Sequence, residues 1–169
     1  MYRIISVCGV AVLLSLTGCA YTLGPANGQA AGAQSLRIAP FTNETKESRL
    51  LDPLTTALRR RVQEDGTFKL ATRDEGDVLL TGRITEYRRL ELSFEPSDIV
   101  TVRDYQLIMT VHATARERAT DRILLDRTVT GKTTVRVGND LVSAERQAMP
   151  LIANDLARNL IGLLADGDW

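Results

Sequence analysis

The chain has 169 residues, with 21 basic and 21 acidic side chains and a single histidine, so its formal net charge is zero and no overall field draws it to nucleic acid. Both cysteines, Cys8 and Cys19, fall within the first nineteen residues. A disulfide framework is therefore excluded, and stability has to come from the core of one ordinary-sized domain.

The N-terminal segment comes first. Arg3 is the only charge ahead of Cys19, and the stretch from Ile4 to Leu16 is almost wholly apolar. That pattern is a short basic region followed by the apolar region of a signal peptide. It falls short of the ~20 apolar residues that a membrane helix needs. Leu16-Thr17-Gly18-Cys19 follows and resembles a bacterial lipobox, in which small residues enter a narrow protease site and the cysteine thiol carries lipid. Residues 1–18 are thus expected to be removed and Cys19 to be acylated. The segment 19–35 is rich in Ala, Gly, Gln and Asn and reads as a tether, with Tyr21 and Leu23 alternating as a short strand would. Ala20 after the cysteine, rather than the aspartate that retains enterobacterial lipoproteins in the inner membrane, favours the outer membrane.

The folded domain is expected over 36–169. It opens on a period-two strand, Leu36-Arg37-Ile38-Ala39-Pro40-Phe41, stopped by Thr42-Asn43-Glu44-Thr45. Asp52-Pro53 offers a cap and a first-turn proline for a helix in which Leu54, Leu58 and Val62 recur at helical spacing, ended by Asp65-Gly66. A short strand at Phe68–Ala71 follows. Three longer strands then run in series. In the first, Val78, Leu80, Gly82 and Ile84 share one face, and the pattern blurs beyond Tyr87 on the way to Phe94. In the second, Tyr105, Leu107, Met109, Val111, Ala113 and Ala115 oppose a polar row that includes Asp104, Gln106, Thr110 and His112. In the third, Ile123, Leu125, Val129, Val135 and Val137 oppose Asp126, Thr128, Thr130, Lys132, Thr134 and Arg136. One apolar and one polar face is the mark of an antiparallel sheet covered on one side. Asn139 or Asp140 caps a second helix with a stripe of Leu141, Ala148, Ile152, Leu156, Leu160 and Leu163, leaving Glu145, Arg146, Asn154 and Arg158 outside it; Pro150 should kink it. The expected fold class is α+β, a two-layer sandwich of two helices on one face of a mainly antiparallel four-stranded sheet.

No catalytic constellation accompanies these elements. His112 is the lone histidine, there is no nucleophile elbow or phosphate loop, and no zinc spacing occurs. The acidic pairs Glu64-Asp65 and Asp74-Glu75 sit in turns. The chain reads as a binding module without enzymatic activity and with no cofactor other than covalent lipid on Cys19.

The lipobox followed by Tyr21-x-Leu23, the strand Leu36 to Thr45, the segment Asp77 to Ile84 and above all Tyr105-Gln106-Leu107-Ile108-Met109-Thr110-Val111 resemble the LptE family of lipopolysaccharide-assembly lipoproteins. The resemblance implies a two-helix, four-stranded sandwich that plugs the LptD outer-membrane barrel, binds lipopolysaccharide and assists its insertion into the outer leaflet. The basic residues best placed to grip lipid phosphates with paired donors are Arg88, Arg89, Arg103, Lys132 and Arg136. Each is also explained as strand-edge charge that discourages aggregation, and Asp98 stands in the loop where another cation would be sought. The runner-up is a lipoprotein activator of a peptidoglycan synthase, whose domain can also begin with a strand and Pro-Phe-x-Asn. A tether of on the order of 50 Å when fully extended suits a partner in the same membrane better.

Overall fold

The structure, a computed structural model, describes residues 31–73, 75–95, 98–137 and 140–167. Cys19, its signal peptide and most of the tether lie outside the described residues. Gln34 and Ser35, read from sequence as the tether's end, belong to the first strand.

The elements run in the order β1 (Gln34–Ile38), β2 (Thr42–Asn43), a 3-10 turn (Ser48–Leu50), α1 (Leu51–Asp65), β3 (Phe68–Leu70), β4 (Val78–Glu95), β5 (Asp98–Glu117), β6 (Ile123–Arg136) and α2 (Leu141–Asp166). They form one α+β layer pair, but the sheet differs from expectation. It has six strands rather than four and is mixed, in the order β3-β1-β4-β5-β6, with β2 also on β4. β1 pairs in parallel with both β3 and β4, and β2 pairs in parallel with β4. Only β4–β5 and β5–β6 are antiparallel.

The parallel half follows from the connections. α1 carries the chain from β1 back to β3, the crossover that parallel neighbours require. The segment after β3 must then pass β1 to reach β4, because Leu70 and Val78 both sit level with Leu36. Gly76 makes that crossing possible. A Cβ there would lie 2.8 Å from the Arg37 Cβ and 3.0 Å from its backbone nitrogen, closer than a side chain allows.

Bulges reset the faces of the long strands. Before Thr85, Leu80 and Ile84 lie in the core. The β4–β5 register slips between Ile84 and Glu86, so that from there Tyr87 stands opposite Met109 on the helix side and Arg88 faces away. This is the physical origin of the blurred pattern. On β6 the register slips again: Ala115 pairs with Leu125 and Arg116 with Ile123. Leu124 and Leu125 are both buried and Ile123 is half exposed, against the expected alternation.

The helices cover the odd-numbered face of β5. α2 lies along β6 and β5, and α1 packs beside it towards β3 and β1. The core between them includes Leu36, Leu54, Leu58, Leu80, Leu107, Met109, Ile152, Leu156 and Leu160. Close approach again needs a glycine, since a Cβ on Gly131 would lie 2.6 Å from both the Ile152 carbonyl and the Leu156 Cβ. α1 starts at Leu51 without a side-chain cap; the cap belongs to the preceding 3-10 turn, where Glu47 accepts from the Arg49 amide. Asp52 therefore sits inside the first turn rather than before it. Gly66 ends α1 in the left-handed conformation as expected. Asp140 caps α2 by accepting from the Val142 and Ser143 amides. Helix α2 runs through Pro150 to Asp166, with Leu164 rather than Leu163 in the core.

Candidate functional site

The sheet face away from the helices carries most of the polar side chains, and the register sets them in rows. Arg88, Ile108 and Lys132 stand abreast on β4, β5 and β6. Leu90, Gln106 and Thr134 form the next row, and Asp104 and Arg136 the one after it. Toward the other end come Glu86, Thr110 and Thr130, then Arg83, His112 and Thr128. Arg88 and Lys132 flank Ile108 across two strand spacings, about 10 Å. Ile108 is only 6% exposed although no helix covers this face, as expected where long cationic stems lie along an apolar side chain and lift their heads to water. Leu90 beside it is 41% exposed. The face is thus a small apolar strip rimmed by charges of both signs, Arg88, Lys132 and Arg136 with Glu86 and Asp104.

The charges on this face differ in how far they are already paired. Arg88 Nε lies 3.1 Å from Glu86 Oε1, with both side chains solvated. The Lys132 ammonium has no ion-pair partner among the described residues. Arg136 donates from Nε to Asp104 Oδ1 at 3.0 Å, and Asp104 also accepts from the Ser93 hydroxyl at 2.6 Å. The Ser93 and Arg136 bonds, in that order, hold the Asp104 carboxyl below its ordinary range. His112 Nε2 lies 3.5 Å from Asp126 Oδ1 on the same face.

Two of the five candidate cations stand apart from this group. Arg103 alternates with Asp104 and so lies on the Tyr105 side of β5, where its carbonyl accepts from the Val137 amide. Arg89 lies beyond the Thr85 bulge on the helix side. Its Nε and Nη2 donate to the two carboxylate oxygens of Glu145 on α2, the latter at 3.0 Å. Glu145 is 2% exposed, the one buried charged residue in the described core, where sequence reading set it on the wet side of the helix. The apolar ladder Met149, Ile152, Leu156, Leu160, Leu164 runs back at helical spacing to position 145 and was the available signal. The bidentate bond to Glu145 is the main cause of the raised pKa of Arg89.

A second arrangement, which sequence reading missed, adjoins Arg89. Asn43 Oδ1 accepts from the Thr45 amide and hydroxyl, and its Nδ2 donates to the Glu47 carbonyl at 2.7 Å. This turn sets Glu47 against Arg49 in a two-point pair at 2.7 and 3.0 Å. That bond is the chief reason the Glu47 carboxyl lies below its ordinary range. The Arg89 guanidinium carbon lies 5.6 Å from the Tyr87 ring centroid. The Tyr87 hydroxyl is buried beside the Arg89 guanidinium. Burial and then the Glu145 charge push it up to about 12. Thr45, Lys46, Glu47, Tyr87 and Arg89 enclose a depression of about 370 Å³.

Among the described residues no group of three or more His, Cys, Asp or Glu side chains could hold a metal. No helix there is long and apolar enough to cross a membrane.

A small mixed sheet has two helices on one face and leaves a charged, partly apolar face open. The model of the LptE family, described as lipopolysaccharide-assembly, matches residues 33–162, and the chain belongs to that family. Solved structures with the same fold include the protein XCC0632 of Xanthomonas campestris, at 12% identity over 86% of this chain and 91% of that one with a TM-score of 0.61. The protein CT253 of Chlamydia trachomatis aligns at 10% identity over 78% of this chain and 94% of that one, with a TM-score of 0.56. No curated protein sequence matches the chain.

Proposed function

We propose that this chain is an outer-membrane lipoprotein, anchored through Cys19 on the periplasmic side, that binds lipopolysaccharide and seats in an LptD-type β-barrel to assist lipopolysaccharide insertion into the outer leaflet. The observation that carries the lipid contact is the row Arg88–Ile108–Lys132, with Leu90 and Arg136 beside it. Cations spaced across an apolar strip match a ligand that joins phosphates to acyl chains. Family membership supports the assembly role. The hydrogen-bonding side chains of the open face suit a polar barrel lumen better than a greasy patch would. Of the five candidate cations, Lys132 is the strongest ligand, with Arg88 and Arg136 on the same face in solvent-exposed pairs to Glu86 and Asp104, whereas Arg89 is held by the buried Glu145 and Arg103 lies on the other face.

The test combines two measurements. Arg88→Ala with Lys132→Ala should weaken lipopolysaccharide binding by the purified domain at least about a hundredfold, the loss of two charge-assisted hydrogen bonds, with the unfolding midpoint unchanged. Affinity purification of the lipidated chain from detergent-solubilised outer membranes should recover a large β-barrel. Recovery of a penicillin-binding protein instead would favour the synthase-activator role.

A further inference from the structure

Two of the three cations around the strip of Ile108 and Leu90 carry carboxylates of their own. Glu86 shares the open face of β4 with Arg88, and its Oε1 lies 3.1 Å from the Arg88 Nε. Asp104 stands opposite Arg136 and accepts from its Nε at 3.0 Å. Lys132 is the third cation, and its ammonium has no ion-pair partner among the described residues. The surplus positive charge of the site is therefore that of Lys132.

Stability does not account for Glu86. Its side chain and that of Arg88 are 43% and 55% exposed, and a solvated pair of this kind contributes little to folding. Glu145 is the contrast, because it is buried and its bond to Arg89 ties a helix to the sheet. What Glu86 does is occupy the guanidinium beside Ile108. Arg88 reaches a ligand phosphate only by leaving Glu86, and the carboxylate then stays near enough to repel that phosphate and to take the guanidinium back. Asp104 differs, since the Ser93 hydroxyl pins it at 2.6 Å and it is 20% exposed, whereas Arg136 is 68% exposed. Here the guanidinium is the partner free to move. A fixed negative charge remains behind when it does.

We infer that Glu86 and Asp104 are internal competitors for the phosphates of the ligand: they occupy Arg88 and Arg136 in the empty site and hold its affinity down, so that bound lipopolysaccharide is released rather than retained. The inference rests on the proposed lipopolysaccharide contact and deepens it by giving the acids of the face a role in release. Its sign separates it from a supporting role. A carboxylate that orients Arg88 for the ligand strengthens binding, and a competitor weakens it.

The experiment uses the full lipidated chain in non-ionic detergent. The probe is labelled lipid A, the phosphate-bearing part of lipopolysaccharide, and its dephosphorylated form is the control. Glu86→Gln keeps the shape of the side chain and removes its charge, so its unfolding midpoint should match that of the parent. It should bind lipid A about fivefold more tightly, the effect of removing one unit charge at contact distance in water. The gain should appear as slower release when unlabelled lipid A is added in excess. Asp104→Asn should also tighten binding, although it lowers stability because Asp104 links Ser93 to Arg136. Lipid A without phosphates should bind the parent and Glu86→Gln alike. The inference is overturned if Glu86→Gln binds lipid A no more tightly than the parent, or if the dephosphorylated lipid shows the same gain. Weaker binding by Glu86→Gln overturns it in favour of an orienting role. An Asp104→Asn chain that binds no more tightly overturns the part assigned to Asp104. If the parent binds no lipid A, the proposed lipid contact fails and this inference with it, whereas a parent that binds and a Glu86→Gln chain that binds equally sink the inference alone.

Discussion

Arg89 and Glu145 show how one residue's neighbours decide whether its charge is available. Glu145 is buried, so its carboxylate depends on the Arg89 guanidinium, whereas Arg89 is 44% exposed and can return to water. The two substitutions should therefore be unequal. Arg89→Met leaves a carboxylate inside the protein without its hydrogen-bonded counter-charge, a situation that costs about 3–5 kcal/mol for a fully buried pair; with half of Arg89 solvated and Arg49 still nearby, about 2 kcal/mol is expected. Glu145→Gln keeps an acceptor for Arg89 and should cost roughly half as much. Urea unfolding of the two variants checks this, and equal losses would mean that the pair is not what holds Glu145 in place. Arg88, one residue away and on the other face, should show neither loss. Strand alternation puts Arg88 and Arg89 on opposite faces, and the bulge at Thr85 decides which of them meets the helix.

At the level of elements, α2 both covers the sheet and closes its edge. On β6 the outward Lys132 amide donates to Asp155 Oδ2 at 2.9 Å, and the outward Thr130 carbonyl accepts from Asn159 Nδ2 at 2.9 Å. One helix thus satisfies backbone groups that would otherwise recruit another strand. Replacing Asp155 and Asn159 by alanine should leave the helix formed but free that edge, seen in size-exclusion chromatography as concentration-dependent association that the parent chain lacks. A variant that stays monomeric would show that twist and charge guard β6 without them. The long strands and both helices were legible because their periodicities are local. The parallel pairing of β1 with β3 and β4 was not, because it depends on a crossing at Gly76 that no short-range pattern announces. The open face was legible in outline: Lys132 and Arg136 were placed on it correctly. The Tyr87–Glu47 depression was not, since it is assembled from a turn, a bulge and a helix far apart in sequence.

Across the whole molecule, four separate carboxylates tie segments together, and all four are held below their ordinary range. Glu47 is lowered chiefly by its bond from Arg49, Asp77 by the Ser35 amide and hydroxyl, Asp104 by Ser93 and then Arg136, and Asp140 by Ser143 and Val142. They anchor, in turn, the Asn43–Glu47 turn, the start of β1 against the entry to β4, the far end of the three-stranded region, and the start of α2. The sign follows from the direction of the shifts. Each group holds fewer protons folded than unfolded between its native pKa and the unfolded value near 4, so its contribution is complete above about pH 5 and is lost as pH falls through the lowered native values. Stability should therefore drop steadily below about pH 5. Because the four sites are far apart in the fold and share no partner, their contributions should add. A chain carrying Asp77→Asn, Asp104→Asn and Asp140→Asn keeps oxygen acceptors at all three places, and Asn remains a good helix cap. It should be less stable at neutral pH and should lose less between pH 5 and pH 3, as followed by urea midpoints. An acid limb as deep as that of the parent would show that other titrating groups drive it.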